Sequence, residues 1–212
     1  MRALSPSGIK LFFQCPRQWK ARYIDEVGTG PPGKSAERGT RIHEEIEQFL
    51  RLPLEERTPF CSNPLKYWNE FFSNLTHLEP EVPIAVDERW QQVDFDDDKA
   101  MFRGIIDGFS PGKFTTIFDW KTGRVYAEDH AFQASCYVAL SPPALMHTAT
   151  MTYLDSPLMT LSWDYSPGER LSVIDSLKEK IHLVQVEEAF NPTPGNHCRW
   201  CPVIDCDVRK ED

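Results

Sequence analysis

Two aspartates and a lysine stand in a suggestive arrangement, Gly104-Ile105-Ile106-Asp107-Gly108 followed by Ile117-Phe118-Asp119-Trp120-Lys121-Thr122-Gly123. In an extended chain successive side chains alternate faces, so Asp119 and Lys121 share one face while Phe118 and Trp120 point to the other. Asp107 belongs to the preceding strand. A turn centred near Lys113 sets it opposite Asp119, and a turn displaced by one residue breaks that pairing. Two carboxylates held together repel unless a cation joins them. Hard oxygen ligands suit Mg²⁺ or Mn²⁺. Such an ion can hold a phosphate, generate hydroxide from water and stabilise a leaving oxygen. A lysine two residues from a ligand stands beside that water or the phosphate and offsets negative charge as it develops. On a plain hairpin the same residues would form only a surface ion pair. Apolar residues before both aspartates and glycines just beyond them favour strand ends that open into loops, where sites tend to sit.

The six cysteines offer a second chemistry. Cys198-Arg199-Trp200-Cys201-Pro202-Val203-Ile204-Asp205-Cys206 holds three of them within nine residues. A close cluster in an intracellular chain points to a metal more than to disulfides. Three thiolates need a fourth ligand. Cys61 and Cys136 read as small buried residues. Cys15 differs, because it lies at the break between two N-terminal helices, in Cys15-Pro16-Arg17-Gln18-Trp19. His197 is a further candidate ligand.

These residues must be positioned by regular elements. The length of 212 residues, with 41% hydrophobic and 12% aromatic residues, suits one globular domain with a real core. Ser5-Pro6 reads as a helix start, with the helix ending near Gln14 because Cys15 precedes Pro16. Pro16 opens a second helix carrying Trp19 and Tyr23. Gly28 to Gly33 is a break, read as a mobile loop. Helical spacing follows over Ser35–Leu50, with Ile42, Ile46, Phe49 and Leu50, and over Pro64–Leu75, with Leu65, Trp68, Phe72 and Leu75. Strands are expected at Val82–Val93, Ala100–Phe109 and Phe114–Lys121, separated by turn signals at 94–98 and 110–113. A helix over Asp129–Leu140, strands over Thr148–Leu154 and Met159–Tyr165, and a helix over Pro167–Ala189 precede the cysteine-rich tail. The sum is an α/β chain: a central mixed sheet flanked by helices, with a helical N-terminal part (1–34), a core (35–190) and a tail (191–212).

In this order the motifs resemble the PD-(D/E)XK nuclease superfamily and, within it, the RecB-like nucleases. That branch carries Gly-x-x-Asp, then Asp-x-Lys with Thr-Gly following, then Gln-x-x-x-Tyr on the next helix. Gln133-Ala134-Ser135-Cys136-Tyr137 supplies the last element, and a spacing of four puts Gln133 and Tyr137 on one helical face. The resemblance implies a restriction-endonuclease-like core with catalytic residues Asp107, Asp119, Lys121, Gln133 and Tyr137. It implies a metal site from His43, Asp107, Asp119 and the Trp120 backbone carbonyl, with Glu88 as a further acidic ligand. Taken alone, His43 beside Ile42 and Ile46 would read as a packed or surface histidine.

The cysteine pattern is similar to the iron–sulfur subgroup of these nucleases, which includes the AddB nuclease domain and CRISPR-associated nucleases of spacer acquisition. It implies a 4Fe-4S cluster on Cys15, Cys198, Cys201 and Cys206. Zn²⁺ on the same four ligands is the alternative. The last spacing, four intervening residues, departs from the five often seen in the subgroup.

Net charge is −9, which speaks superficially against nucleic acid, yet residues 1–41 hold eight basic and three acidic side chains. That local excess can grip phosphates, and Arg17, Lys20, Arg22 and Arg41 are the candidate DNA contacts. Trp19, Tyr23 and Trp200 are possible stacking surfaces, although such aromatics more often belong to the core. The implied substrate is DNA, single-stranded in preference to duplex, cut by an exonuclease. No leader or membrane span is visible, so a cytoplasmic protein is expected, in a bacterial, archaeal or phage-infected cell. No Gly-x-x-x-x-Gly-Lys-Ser/Thr loop indicates a fused helicase. A phage protein or an accessory to repair or recombination would suit such a chain. The competing reading is a non-catalytic DNA-binding or assembly module that keeps the fold; retention of His43, Asp107, Asp119, Lys121 and Gln133 together weighs against it.

Overall fold

The computed structural model describes residues 3–28, 33–156 and 159–208, without the Trp200 side chain. The stretch 29–32 of the expected mobile loop and the Trp200 ring therefore lie outside the described residues.

Ser5 caps α1 (Pro6–Gln14), its hydroxyl accepting from Gly8 N at 3.1 Å, and Pro6 at the helix start gives up no hydrogen bond. Cys15 is extended ahead of Pro16, so it ends α1 and begins α2 (Pro16–Tyr23). The amphipathic α3 (Lys34–Arg51) buries Ile42, Ile46, Phe49 and Leu50.

A six-stranded sheet follows, in the order β2-β1-β3-β4-β5-β6. Its strands are β1 (Glu79–Val86), β2 (Gln92–Val93), β3 (Phe102–Ser110), β4 (Phe114–Lys121), β5 (Met146–Tyr153) and β6 (Thr160–Tyr165). All neighbours are antiparallel except β4 and β5, which are parallel and joined by the crossover helix α5 (Ala127–Leu140). A final helix, α6 (Pro167–Val186), opens on a reciprocal cap between Ser166 and Glu169. The expected α/β architecture is present. No helix among the described residues is long and apolar enough to cross a membrane.

Strand alternation feeds two apolar clusters, one on each face. Ile106 and Ile117 join α1, α2, α5 and α6 through Ile9, Trp19, Tyr137 and Leu177. Trp120 points the other way, into a cluster with Ile46 of α3, Trp68 and Phe72. β4 thus lies between two packed layers, which leaves the row around Asp119 little freedom to move.

Two expected elements differ. The strand read over Val82–Val93 is broken, because the Asp87 carboxylate accepts from the backbone of Arg89 (2.9 Å) and Gln91 (2.8 Å) and Trp90 adopts φ 62°. This local turn competes successfully with the ladder. The helix over Pro64–Leu75 divides into a 3₁₀ turn, Leu65–Trp68, and a short α4 (Asn69–Ser73). Trp19 is core: it packs edge-on against Phe12 and stacks on Phe190 at 6.0 Å, so it offers no face to a base.

Candidate active site

The site is assembled by register. β3 and β4 pair Gly108 with Phe118, Phe109 with Ile117 and Ser110 with Thr116, a ladder centred on Lys113. One step further sets Asp107 opposite Asp119, as the alternation argument expects. β1 and β3 pair Pro80 with Gly108 and Val82 with Ile106, so Glu81 faces Asp107 from the other side. Three carboxylates, Glu81, Asp107 and Asp119, therefore form a row across β1, β3 and β4. Glu81 holds φ 51°, a left-handed backbone that costs a non-glycine residue about 1–2 kcal/mol.

His43 reaches the row from α3. Its Nε2 lies 2.8 Å from the Trp120 carbonyl oxygen, and its Nδ1 lies 3.5 Å from Asp107 Oδ2. A carbonyl only accepts, so Nε2 carries the proton in this arrangement. One ligand atom each from His43, Glu81 and Asp107 lie within 4.8 Å of one another. Burial lowers the His43 pKa, which favours the neutral imidazole that a metal requires.

The carboxylates are strained electrostatically. Asp107 is buried and accepts from Trp120 N at 2.7 Å. Burial first, and then the charge of Asp119, push its pKa well above the ordinary carboxylate value. Glu81 is raised too, by burial and then by Glu47 and Asp119.

Asp119 and Lys121 are held from α5. Lys121 Nζ donates to Gln133 Oε1 at 2.7 Å, while Gln133 Nε2 contacts Asp119 Oδ1 at 3.0 Å and Tyr137 Oη at 2.8 Å. Lys121 Nζ also lies 2.5 Å from the buried Asp119 Oδ2, an ion pair that offsets part of the row's negative charge. Burial pushes the Tyr137 phenol well above its usual range, so it stays protonated. Three carboxylates offset by one lysine, beside a histidine whose pKa burial lowers, fit a divalent cation: the cation would balance the remaining negative charge.

The structure thus brings together His43, Asp107, Asp119, the Trp120 carbonyl, Lys121, Gln133 and Tyr137. It does not bring Glu88 to them; Glu88 is exposed in the turn between β1 and β2. Glu81 stands in the row instead. Counting back from Asp107 along an antiparallel partner would have found it, had the first strand been started before Val82.

Around the site, Arg17, Arg22 and Arg41 are exposed, whereas Lys20 is tied to Asp25 at 2.6 and 2.8 Å. Cys15, Cys198, Cys201 and Cys206 line one small cavity together with Thr193 and His197. Thr193 N points at Cys15 Sγ at 3.5 Å, and His197 Nε2 lies 3.0 Å from the Thr193 carbonyl oxygen. Cys136 is fully buried, but Cys61 is exposed, contrary to expectation, its thiol near the Pro59 carbonyl oxygen at 3.8 Å.

A family model of the PD-(D/E)XK nuclease superfamily matches residues 3–206. The solved structure of SSO0001 is similar in fold, with a TM-score of 0.53 at 15% identity, covering 100% of this chain and 88% of that one. No curated protein matches the chain.

Proposed function

The chain belongs to the PD-(D/E)XK nuclease superfamily, and from that premise we propose that it is a metal-dependent DNA nuclease, acting as an exonuclease on single strands. The observation that carries the reading is the row Glu81–Asp107–Asp119 with Lys121 paired to Asp119 and His43 beside Asp107. Mg²⁺ or Mn²⁺ held by His43, Glu81, Asp107, Asp119 and the Trp120 carbonyl supplies Lewis acidity toward the phosphate and lowers the pKa of water.

The chain's own groups do the rest. Asp107 is fixed by Trp120 N, and Asp119 by Gln133, so neither must reorganise when substrate arrives. Gln133 also holds the Lys121 ammonium, which then faces the phosphate and offsets its growing negative charge. In the hydrolysis a water oxygen bonds to phosphorus, one phosphorus–oxygen ester bond breaks, and a proton passes from the water to the departing oxygen.

The four cysteines are read as ligands of a 4Fe-4S cluster that ties the N-terminal helices to the tail. The support is that Cys15, Cys198, Cys201 and Cys206 line one cavity, which brings thiols from both ends of the chain together. Zn²⁺ on the same four thiolates is the alternative.

The test is a time course on end-labelled single-stranded and duplex DNA with Mg²⁺, Mn²⁺ or chelator. We expect metal-dependent release of short products from single strands. Binding without cleavage under every metal would instead identify the non-catalytic assembly module.

A further inference from the structure

A cavity of about 470 Å³ lies between α1, β3 and α5 and ends on Gln133 and Tyr137. Gln133 holds Asp119 and Lys121 and also donates to Tyr137, so this end of the cavity borders the groups that flank the carboxylate row. We propose that it seats one unpaired nucleotide of the DNA strand, with a phosphate against Lys10 and Arg103 and the base against Ile105 and Phe132. The proposal rests on the nuclease reading above and names a strand-binding subsite for it.

Backbone pairing builds the cationic wall. Leu4 N donates to the Met101 carbonyl and Arg103 N to the Leu4 carbonyl, both at 2.9 Å, which pins the start of the chain along β3. Ser5, Ser7 and Lys10 of the first helical turns therefore line the cavity together with Arg103.

Both cations can accept a phosphate. Among the described residues Arg103 donates through Nη1, to the Phe95 carbonyl at 2.8 Å and to the almost fully exposed Asp96 at 3.0 Å. A guanidinium has five donors, so its Nε and Nη2 groups are available. Lys10 pairs with Asp129 at 2.6 Å, but both side chains are nearly half exposed. Such a surface pair is weak and exchanges readily for a phosphate.

The rest of the lining is partly apolar. Ile105 is 43% exposed on β3, with the half-buried Phe132 and Phe95 nearby. The Phe95 ring is already covered by the Arg103 guanidinium at 4.6 Å. Flat apolar surface beside a cationic edge is what a nucleobase and its phosphate require, and it is indifferent to sequence. A cavity of this volume has room for one nucleotide, which suits unpaired DNA.

Anisotropy with labelled oligo(dT) and with a duplex, in chelator to prevent cutting and over a salt series, tests the subsite. We expect Lys10→Gln/Arg103→Gln to weaken oligo(dT) binding about tenfold or more and to flatten the log–log salt slope by about 1.4, two contacts at about 0.7 each on a single strand. Ile105→Glu changes an exposed side chain, so folding is not at stake, and it should weaken oligo(dT) binding about tenfold. Both should affect the duplex less. Wild-type protein that cuts DNA while these variants bind oligo(dT) normally would overturn the subsite and leave the nuclease reading standing. Equal losses for duplex and oligo(dT) would overturn the unpaired-nucleotide assignment. Wild-type protein that neither binds nor cuts DNA would remove the nuclease reading, and the subsite with it.

Discussion

The carboxylate row and the cysteine cavity are built in opposite ways. The row is set by ladders: β1 on β3 and β3 on β4 place Glu81, Asp107 and Asp119 side by side, and one glutamine of α5 holds both Asp119 and Lys121. The cysteines come from opposite ends of the chain, where Thr193 N points at Cys15 Sγ and Phe190 stacks on Trp19. A site that must stabilise developing charge has to stand ready before its substrate arrives. A site that only ties chain ends can leave that organisation to its metal. On the proposed reading the row governs rate, and the cysteines govern stability.

The largest expected effect is on cleavage. Lys121→Ala should lower the rate by about 10²–10³-fold, the scale of losing one preorganised charge-stabilising group, while circular dichroism shows a folded chain. Wild-type cleavage by this variant would remove the row from catalysis.

The cysteine half of the comparison is tested by Cys15→Ala. Losing a cross-link that closes so long a loop should cost about 2–5 kcal/mol, read as a lower melting temperature, together with loss of iron, sulfide and brown colour. Its cleavage should fall only as far as its folded fraction falls. Full metal content with unchanged melting would strike Cys15 from the ligand set. Colourless protein carrying zinc would replace the cluster and keep the ligands.

Smaller effects sharpen the same division. Gln133→Ala should lower kcat about 10–100-fold, as loss of a group orienting ligands does, with little change in melting. Unaltered kcat would mean that Lys121 and Asp119 hold their places without it.

Smaller still is the latch outside the row, where Arg38 of α3 grips Asp155, which also accepts from Gly123 N at 2.7 Å. The hydrogen bond from Arg38 holds the Asp155 pKa below its ordinary value. Its stabilisation is thus present above the normal carboxylate pKa and is lost as pH falls through the depressed one. Asp155→Asn should melt slightly below wild type at pH 7, and the gap should close on acidification below about pH 4. A gap independent of pH would assign the effect elsewhere.

Much of this was legible from local rules. Alternation and one turn position paired Asp107 with Asp119, and Ser5-Pro6 and Cys15-Pro16 marked both N-terminal helices correctly. What escaped depended on tertiary context. Glu81 enters the row through a left-handed backbone that no propensity favours. The turn at Asp87 rests on its carboxylate capping two amides within an otherwise strand-like run. Trp19, equally plausible as a stacking surface, is settled by Phe12 and Phe190, the latter far away in the chain.

The most direct measurement is a Mn²⁺ titration of metal-free protein followed by electron paramagnetic resonance. Wild type should bind Mn²⁺ saturably, Asp107→Asn and Glu81→Gln should each weaken that binding about tenfold or more, and folded Cys15→Ala should bind as wild type does. Unchanged Mn²⁺ affinity in Asp107→Asn would contradict the assignment of the row as the metal centre.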